Sequence, residues 1–484
     1  MIEKIKSLSK DTLIYGTSTI IGRFLNFFLV PLYTNKFLPD EFGVVSNIYA
    51  YIAILNVFFT IGLESGYFKF ASTLEVGTKK ENFTHPFLGI LINSFILSGI
   101  LFFFSFQFTS VFQINSNQSI LLKLTAVILF FDAIVTVPFA YLRLQHKPAK
   151  FALIRISNIV INVVMNVVLI VFLKTGIIAV FISNLCASAF TFLLLLPDII
   201  KNFHISFNKA LVHELLKFSL PYIPAGISAN IVQVINRPIL TYLKGDYAVG
   251  VFQANYRLGI FMMLFVSMFE FAWRPFFLQN AKEPDAKKLF SKIMTLFIIA
   301  GSVIFLVLSL FINDIAMFKL PFKGYLIGKA YWEGLNIVPL ILLSYLFYGI
   351  YINLMAGIYI EKKTKYLPVI SGAAAVVNIV ANFILIPVYG IYGAAITTLL
   401  SYSVMTIGIF LAAQKFYYIK YEYVKIVIIF LILIICYGGY LFVSLYFSEI
   451  ILLIKIISLL TFFILIFVTG VIDFPSLKKL RNSF

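Results

Sequence analysis

Apolar residues in this chain neither alternate with polar ones nor keep to a single helical face. They run unbroken for about twenty residues at a time, the length a helix needs to cross a hydrocarbon layer about 30 Å thick. Such runs are centred near residues 22, 56, 97, 131, 162, 188, 230, 262, 301, 347, 377, 403, 435 and 461, which predicts fourteen spans. Strands of a membrane barrel would instead alternate over about ten residues. The pattern therefore predicts an all-α polytopic membrane protein. The longest connections, near 313–333, 198–217 and 275–292, are about twenty residues each, so no extramembrane domain is expected.

Composition strengthens this reading. Of 484 residues, 61% are hydrophobic and 12% charged, against roughly 45–50% apolar in soluble domains. The net charge of +18 would suggest nucleic acid in a soluble protein, but its distribution says otherwise. Most of the 38 Lys and Arg fall on the side of the N-terminus, among them Lys4, Lys79, Lys80, Arg143, Lys147, Lys287, Lys363 and Lys478. By the positive-inside rule, both termini are expected to be cytoplasmic, with an even number of spans and no nucleic-acid partner. The short charged segment Met1–Asp11 and the absence of a small-residue cleavage site after the first run argue for a retained first span. Cys186 and Cys436 lie in separate apolar runs and suggest neither a metal nor a redox site.

The chain also repeats itself weakly. A shift of 207 residues places Pro31 on Pro238, Thr34 on Thr241, Gly43 on Gly250, Tyr49 on Tyr256 and Thr60 on Ser267. A shift of 216 places Asn162, Asn166, Leu169 and Ile170 on Asn378, Asn382, Leu385 and Ile386. Both shifts relate segments six spans apart, so the chain reads as two parallel six-helix repeats plus two C-terminal helices. The expected divisions are residues 1–205 (spans 1–6), 206–415 (spans 7–12) and 416–484 (spans 13 and 14 with a tail). Parallel repeats are found in transporters that rock two halves about a central site.

These residues carry a family resemblance. Gly-Arg-Phe at 22–24, Pro-Leu-Tyr-Thr at 31–34, Glu-Phe-Gly at 41–43 and Gly-Leu-Glu at 62–64 form its first part. Ala-Gly-Ile-Tyr-Ile-Glu-Lys-Lys-Thr at 356–364, Asn378, Asn382 and Gly-Ala-Ala at 393–395 form its second. The sequence resembles the polysaccharide-flippase branch of the multidrug/oligosaccharidyl-lipid/polysaccharide exporter superfamily. Spans 13 and 14 are similar to the extra pair of its fourteen-span members. The resemblance implies two six-helix bundles that carry an undecaprenyl-pyrophosphate-linked oligosaccharide across a bacterial cytoplasmic membrane. It further implies membrane lipid and a downstream glycan polymerase as partners, no cofactor and no bond chemistry. The alternatives are a lipid II flippase, a multidrug exporter of the same superfamily, and a membrane glycan polymerase or ligase.

A pyrophosphate and a hydrophilic sugar crossing hydrocarbon need a polar, cationic path, since unpaired polar groups there cost several kcal/mol each. On span 7, Tyr222, Gly226, Asn230, Gln233, Arg237 and Thr241 share one helical face. On span 1, Thr19, Arg23 and Asn26 do the same and map onto Gly226, Asn230 and Gln233 under the 207 shift. Arg23 is expected near mid-membrane and Arg237 and Arg257 in the outer half, three guanidiniums suited to a pyrophosphate. The alternative for each is a structural pair, with Glu64, Glu270 or Asp132 as partners. Tyr222 and Tyr256 are candidates for stacking on sugar rings. Glu64 and Glu270 are candidates for proton coupling, or for ion pairs with Lys69 and Arg274. Asn378, Asn382 and Thr398 offer oxygens to a sodium ion but no carboxylate, so interhelical hydrogen bonding is the preferred reading and no metal is expected.

Overall fold

An apolar run without water must satisfy its backbone hydrogen bonds within itself, and the helix is the element that does so. The computed structural model describes residues 22, 24, 25, 27–321 and 324–471, and they are overwhelmingly helical. The helices are α1 Leu29–Lys36, α2 Pro39–Thr60, α3 Leu63–Thr73, α4 Lys79–Phe103, α5 Ser105–Val111, α6 Ser119–Ile134, α7 Thr136–Leu144, α8 Pro148–Val167 and α9 Ile178–Asn202. There follow α10 Lys209–Ser219, α11 Tyr222–Val234, α12 Asn236–Tyr256, α13 Ile260–Asn280, α14 Ala286–Leu310 and α15 Ile312–Ala316. After a small hairpin, β1 Lys319–Leu320 with β2 Gly324–Tyr325, come α16 Val338–Ile360, α17 Tyr366–Tyr389, α18 Ile391–Phe416, α19 Tyr423–Ser444 and α20 Ile451–Val468.

Among the described residues, twelve segments are long and apolar enough to cross a membrane. Thirteen of the expected centres fall inside these twelve, because Lys209–Asn280 forms one run containing both 230 and 262. The remaining span, centred near residue 22, lies mostly outside the described residues. The polytopic all-α class is as expected.

Local chemistry sets the helix ends. The Thr78 hydroxyl accepts from the Glu81 N–H at 3.3 Å while the Glu81 carboxylate accepts from the Thr78 N–H at 2.8 Å, starting α4. Asn208 caps α10 by accepting from the Leu211 N–H at 3.1 Å. Gly62, at φ 68°, separates α2 from α3. Within α12, Gly245 at φ 81° breaks the helical geometry.

Packing groups the chain into two compact units. One comprises Met1–Arg257, Ile327–Glu333 and Ser371–Ser401; the other comprises Leu258–Leu326, Gly334–Ile370 and Tyr402–Phe484. In the first, α2 and α12 approach closely at glycines. A Cβ on Gly43 would run into the carbonyl oxygen of Asp246, and a Cβ on Gly250 into that of Pro39. Gly43 and Gly250, and Pro39 and Asp246, are each separated by the repeat shift of 207 residues. The contact is therefore reciprocal, as between symmetry mates, and only glycine lets the backbones meet. In the second unit, the Trp273 indole N–H donates to the Asn353 carbonyl at 3.1 Å, and Lys455 of α20 is ion-paired with Asp314 of α15.

Candidate functional site

Two polar features occupy the first unit. The first is built around the expected arginines. Arg237, near the start of α12, lies over the Tyr256 ring at 5.7 Å, and Arg257, just after α12, lies over the Phe42 ring at 5.5 Å. Arg257 is electrostatically coupled to Arg237, Tyr33 and Tyr49. Tyr33 and Tyr256 are buried, whereas the two arginines are half-buried. The Tyr33 hydroxyl donates to Asn166 Oδ1 at 3.0 Å, tying α1 to α8. Two guanidiniums held in one region form an electropositive place suited to an anion.

The repeated asparagines adopt the same geometry in both halves. The Asn166 amide donates to the Asn162 carbonyl at 2.8 Å and to its Oδ1 at 3.0 Å. The Asn382 amide donates to the Asn378 carbonyl at 2.9 Å and to its Oδ1 at 2.7 Å. Asn378 in turn donates to the Val232 carbonyl, and Asn236 to the Thr398 hydroxyl, both at 3.3 Å. Asn378, Asn382 and Thr398 thus have hydrogen bonds that join α17 and α18 to α11 and α12. Among the described residues no group of three or more His, Cys, Asp or Glu is placed to hold a metal.

The second feature is a cavity of about 280 Å³ lined by polar residues of α2, α3, α6, α7, α8 and α9. Glu64 and Arg143 form an ion pair on its wall. Opposite charges recur on the same cavity at Asp132, whose Oδ1 accepts from the Ser188 hydroxyl at 2.6 Å, and at Arg155. Arg155 lies over the Phe139 ring at 4.3 Å. Asn158 donates to the Thr191 hydroxyl and Asn184 to the Tyr49 hydroxyl, both at 2.9 Å. Through Asn184, Tyr49 is joined to the cavity wall.

The expected residues fare differently. Arg237, Arg257 and Tyr256 come together. Arg23 and Asn26 lie outside the described residues. The Asn230 amide donates to the Gly226 carbonyl of its own helix at 2.9 Å, Gln233 is exposed, and Tyr222 is exposed and packs against Phe218. Glu64 pairs with Arg143 and not with Lys69, whose ammonium lies over the Phe70 and Phe218 rings. Glu270 pairs with Arg274 at 3.3 Å one helical turn away. Sequence reasoning missed the cavity. Arg143 was counted with the cytoplasmic charges, and Arg155 and Asn184 were not singled out. A signal existed: Arg155, Asn158, Asn162 and Asn166 share one face of α8, and Asn184, Ser188 and Thr191 share one face of α9.

Comparison with known proteins agrees with the fold. Residues 8–281 match the family model described as polysaccharide biosynthesis protein. No curated protein sequence matches significantly. The lipid II flippase MurJ, in an inward closed conformation, is 18% identical with a TM-score of 0.69, over 93% of this chain and 98% of that one. An inward-facing multidrug resistance MATE family transporter of the MOP superfamily is 13% identical with a TM-score of 0.64, over 84% of this chain and 97% of that one. A MOP superfamily transporter from Pyrococcus furiosus Vc1 is 13% identical with a TM-score of 0.59, over 85% and 94% respectively. At these identities the structural likenesses speak for the fold, and the family match covers more than half the chain. The chain belongs to the polysaccharide biosynthesis protein family and shares the fold of these flippase and transporter structures.

Proposed function

We propose that this protein is a flippase that carries an undecaprenyl-pyrophosphate-linked oligosaccharide from the inner to the outer leaflet of a bacterial cytoplasmic membrane, for assembly of a surface polysaccharide. The reciprocal contact of Gly43 and Gly250 carries the reading. Repeat-related segments that meet across a local two-fold axis form a closure that can open by rocking one repeat against the other. On the reading with both termini cytoplasmic and fourteen spans, this contact is the outer closure of the pathway. The arginine cluster of Arg237 and Arg257, with Arg23 from span 1, is the place for the pyrophosphate. Residues 1–205 and 206–415 are the two rocking repeats, and 416–484 add spans 13 and 14. A glycan polymerase then consumes the product.

The family match favours polysaccharide precursors over lipid II, and a cationic site disfavours cationic drugs. The decisive experiment is complementation of two strains, one lacking its polysaccharide flippase and one lacking its lipid II flippase, with membrane abundance measured in both. Restored surface polysaccharide in the first is expected. Rescue of the second alone would overturn the assignment in favour of lipid II.

A further inference from the structure

The cavity between α2, α3 and α6–α9 is separate in chemistry from the arginine cluster and is balanced in charge. Glu64 and Asp132 face Arg143 and Arg155 across its walls. An anion entering would meet two carboxylates, and a cation two guanidiniums. Neither sign of ligand is favoured, whereas a neutral ligand that both donates and accepts hydrogen bonds is.

The partners left over have the complementary character. Glu64 and Arg143 are paired with each other. Arg155 makes no hydrogen bond or ion pair among the described residues, and its guanidinium is fixed by the Phe139 ring. Its N–H groups are donors facing the cavity. Asp132 receives one bond from Ser188 and keeps further lone pairs. Asn56 lines the same cavity, and its buried Oδ1 has no hydrogen-bond partner among the described residues. Donors on one group and acceptors on two others suit vicinal hydroxyls, each of which gives one bond and takes others. A space of about 280 Å³ lies at the small end of ligand pockets, which start near ~300 Å³. It is large enough for one pyranose ring.

We propose that this cavity is a subsite for a single neutral sugar residue, its hydroxyls bridging Arg155 and Asp132 with Asn56 as a further acceptor. The proposal rests on the flippase reading, in that the sugar is one residue of the transported glycan.

Saturation-transfer NMR on the purified full chain in detergent tests it, with the methyl glycosides of glucose, galactose and N-acetylglucosamine as probes and inorganic pyrophosphate and guanidinium as charged comparators. At least one glycoside is expected to bind at millimolar concentration. Asp132→Asn and Arg155→Met should each weaken it at least tenfold, and Lys201→Ala, at an exposed position, should leave it within twofold. Thr136→Phe fills the cavity without removing a charge and should also abolish binding. Thermal unfolding of each variant identifies any that fails to fold, and the wild-type result stands without them. Silence of all three glycosides overturns the proposal, as does glycoside binding that folded cavity variants leave unchanged, or binding of pyrophosphate alone with loss in Arg155→Met. Flipping of lipid-linked saccharide by the wild-type protein is scored separately. A protein that flips but binds no glycoside refutes the subsite and leaves the flippase reading intact, whereas one that binds glycoside and does not flip refutes the flippase reading.

Discussion

Single side chains in a membrane protein are informative because a charge there has few ways to be tolerated. Arg237 and Arg257 each lie over an aromatic ring, Tyr256 and Phe42 respectively, which places two guanidiniums in one region of the first unit. A charge-assisted hydrogen bond contributes about 1.5–3 kcal/mol, so Arg257→Gln should lower the flipping rate roughly 10- to 100-fold with membrane abundance unchanged. Arg23→Ala should do at least as much, and Arg23→Lys should recover only part, since an ammonium lacks the bidentate fork. Flipping rates in membranes normalised to protein level check all three, and wild-type rates would remove the arginines from the site. Glu64 and Arg143 make a different case. Both are more than a third exposed to the cavity, 39% and 37%, so their pair is worth only about 0.2–1 kcal/mol. A double-mutant cycle of Glu64→Gln and Arg143→Gln, read by thermal unfolding, should give a coupling in that range. A coupling near zero would show that the two side chains do not act as a pair.

At the scale of elements, the contact between α2 and α12 has no room for a side chain. Gly43→Ala would push its methyl into a backbone carbonyl, which cannot swing aside as a side-chain tip can. Overpacking of this kind costs about 1–3 kcal/mol, and on the proposed flippase reading it falls on the outward-closed state. Gly43→Ala and Gly250→Ala should therefore each shift the protein toward an outward-open form. Spin labels at Lys36 and Tyr242, both exposed, should report a longer distance in either variant, with transport slowed. An unchanged distance distribution would show that the glycines serve packing and not closure. A disulfide between the external ends of spans 1 and 7, near Thr34 and Thr241, should likewise stop transport until reduced.

For the whole molecule, the distribution of charge makes a topological demand. Cysteines replacing Lys147 and Lys363 should react only with reagent applied from the cytoplasm, and one replacing Asn117 only from outside. Lys478, outside the described residues, should label from the cytoplasm, and labelling from outside would remove the even number of spans. The spans themselves were legible because hydrocarbon imposes a length and polarity on each segment independently of its neighbours. The 207-residue repeat was legible for a related reason: Pro and Gly stand out against an apolar background, and at Gly43 and Gly250 they stand where backbones meet.

The sequence alone thus determined the helical class, the positions of most spans and the kinship of the two repeats, all of which follow from local hydropathy or from comparing the chain with itself. It also marked Arg237, Arg257 and Tyr256, which the break at Gly245 within α12 brings together from the two arms of that helix. Tertiary structure decided which polar groups face one another. Glu64 found Arg143 from a distant span in place of the nearby Lys69, because helices from different parts of the sequence meet side by side and proximity along the chain does not predict proximity in space. For the same reason the cavity around Asp132 and Arg155 could not be read as a site. Each helix carries only one to three of the polar lining residues, and these become a binding surface only when six helices place them around one space.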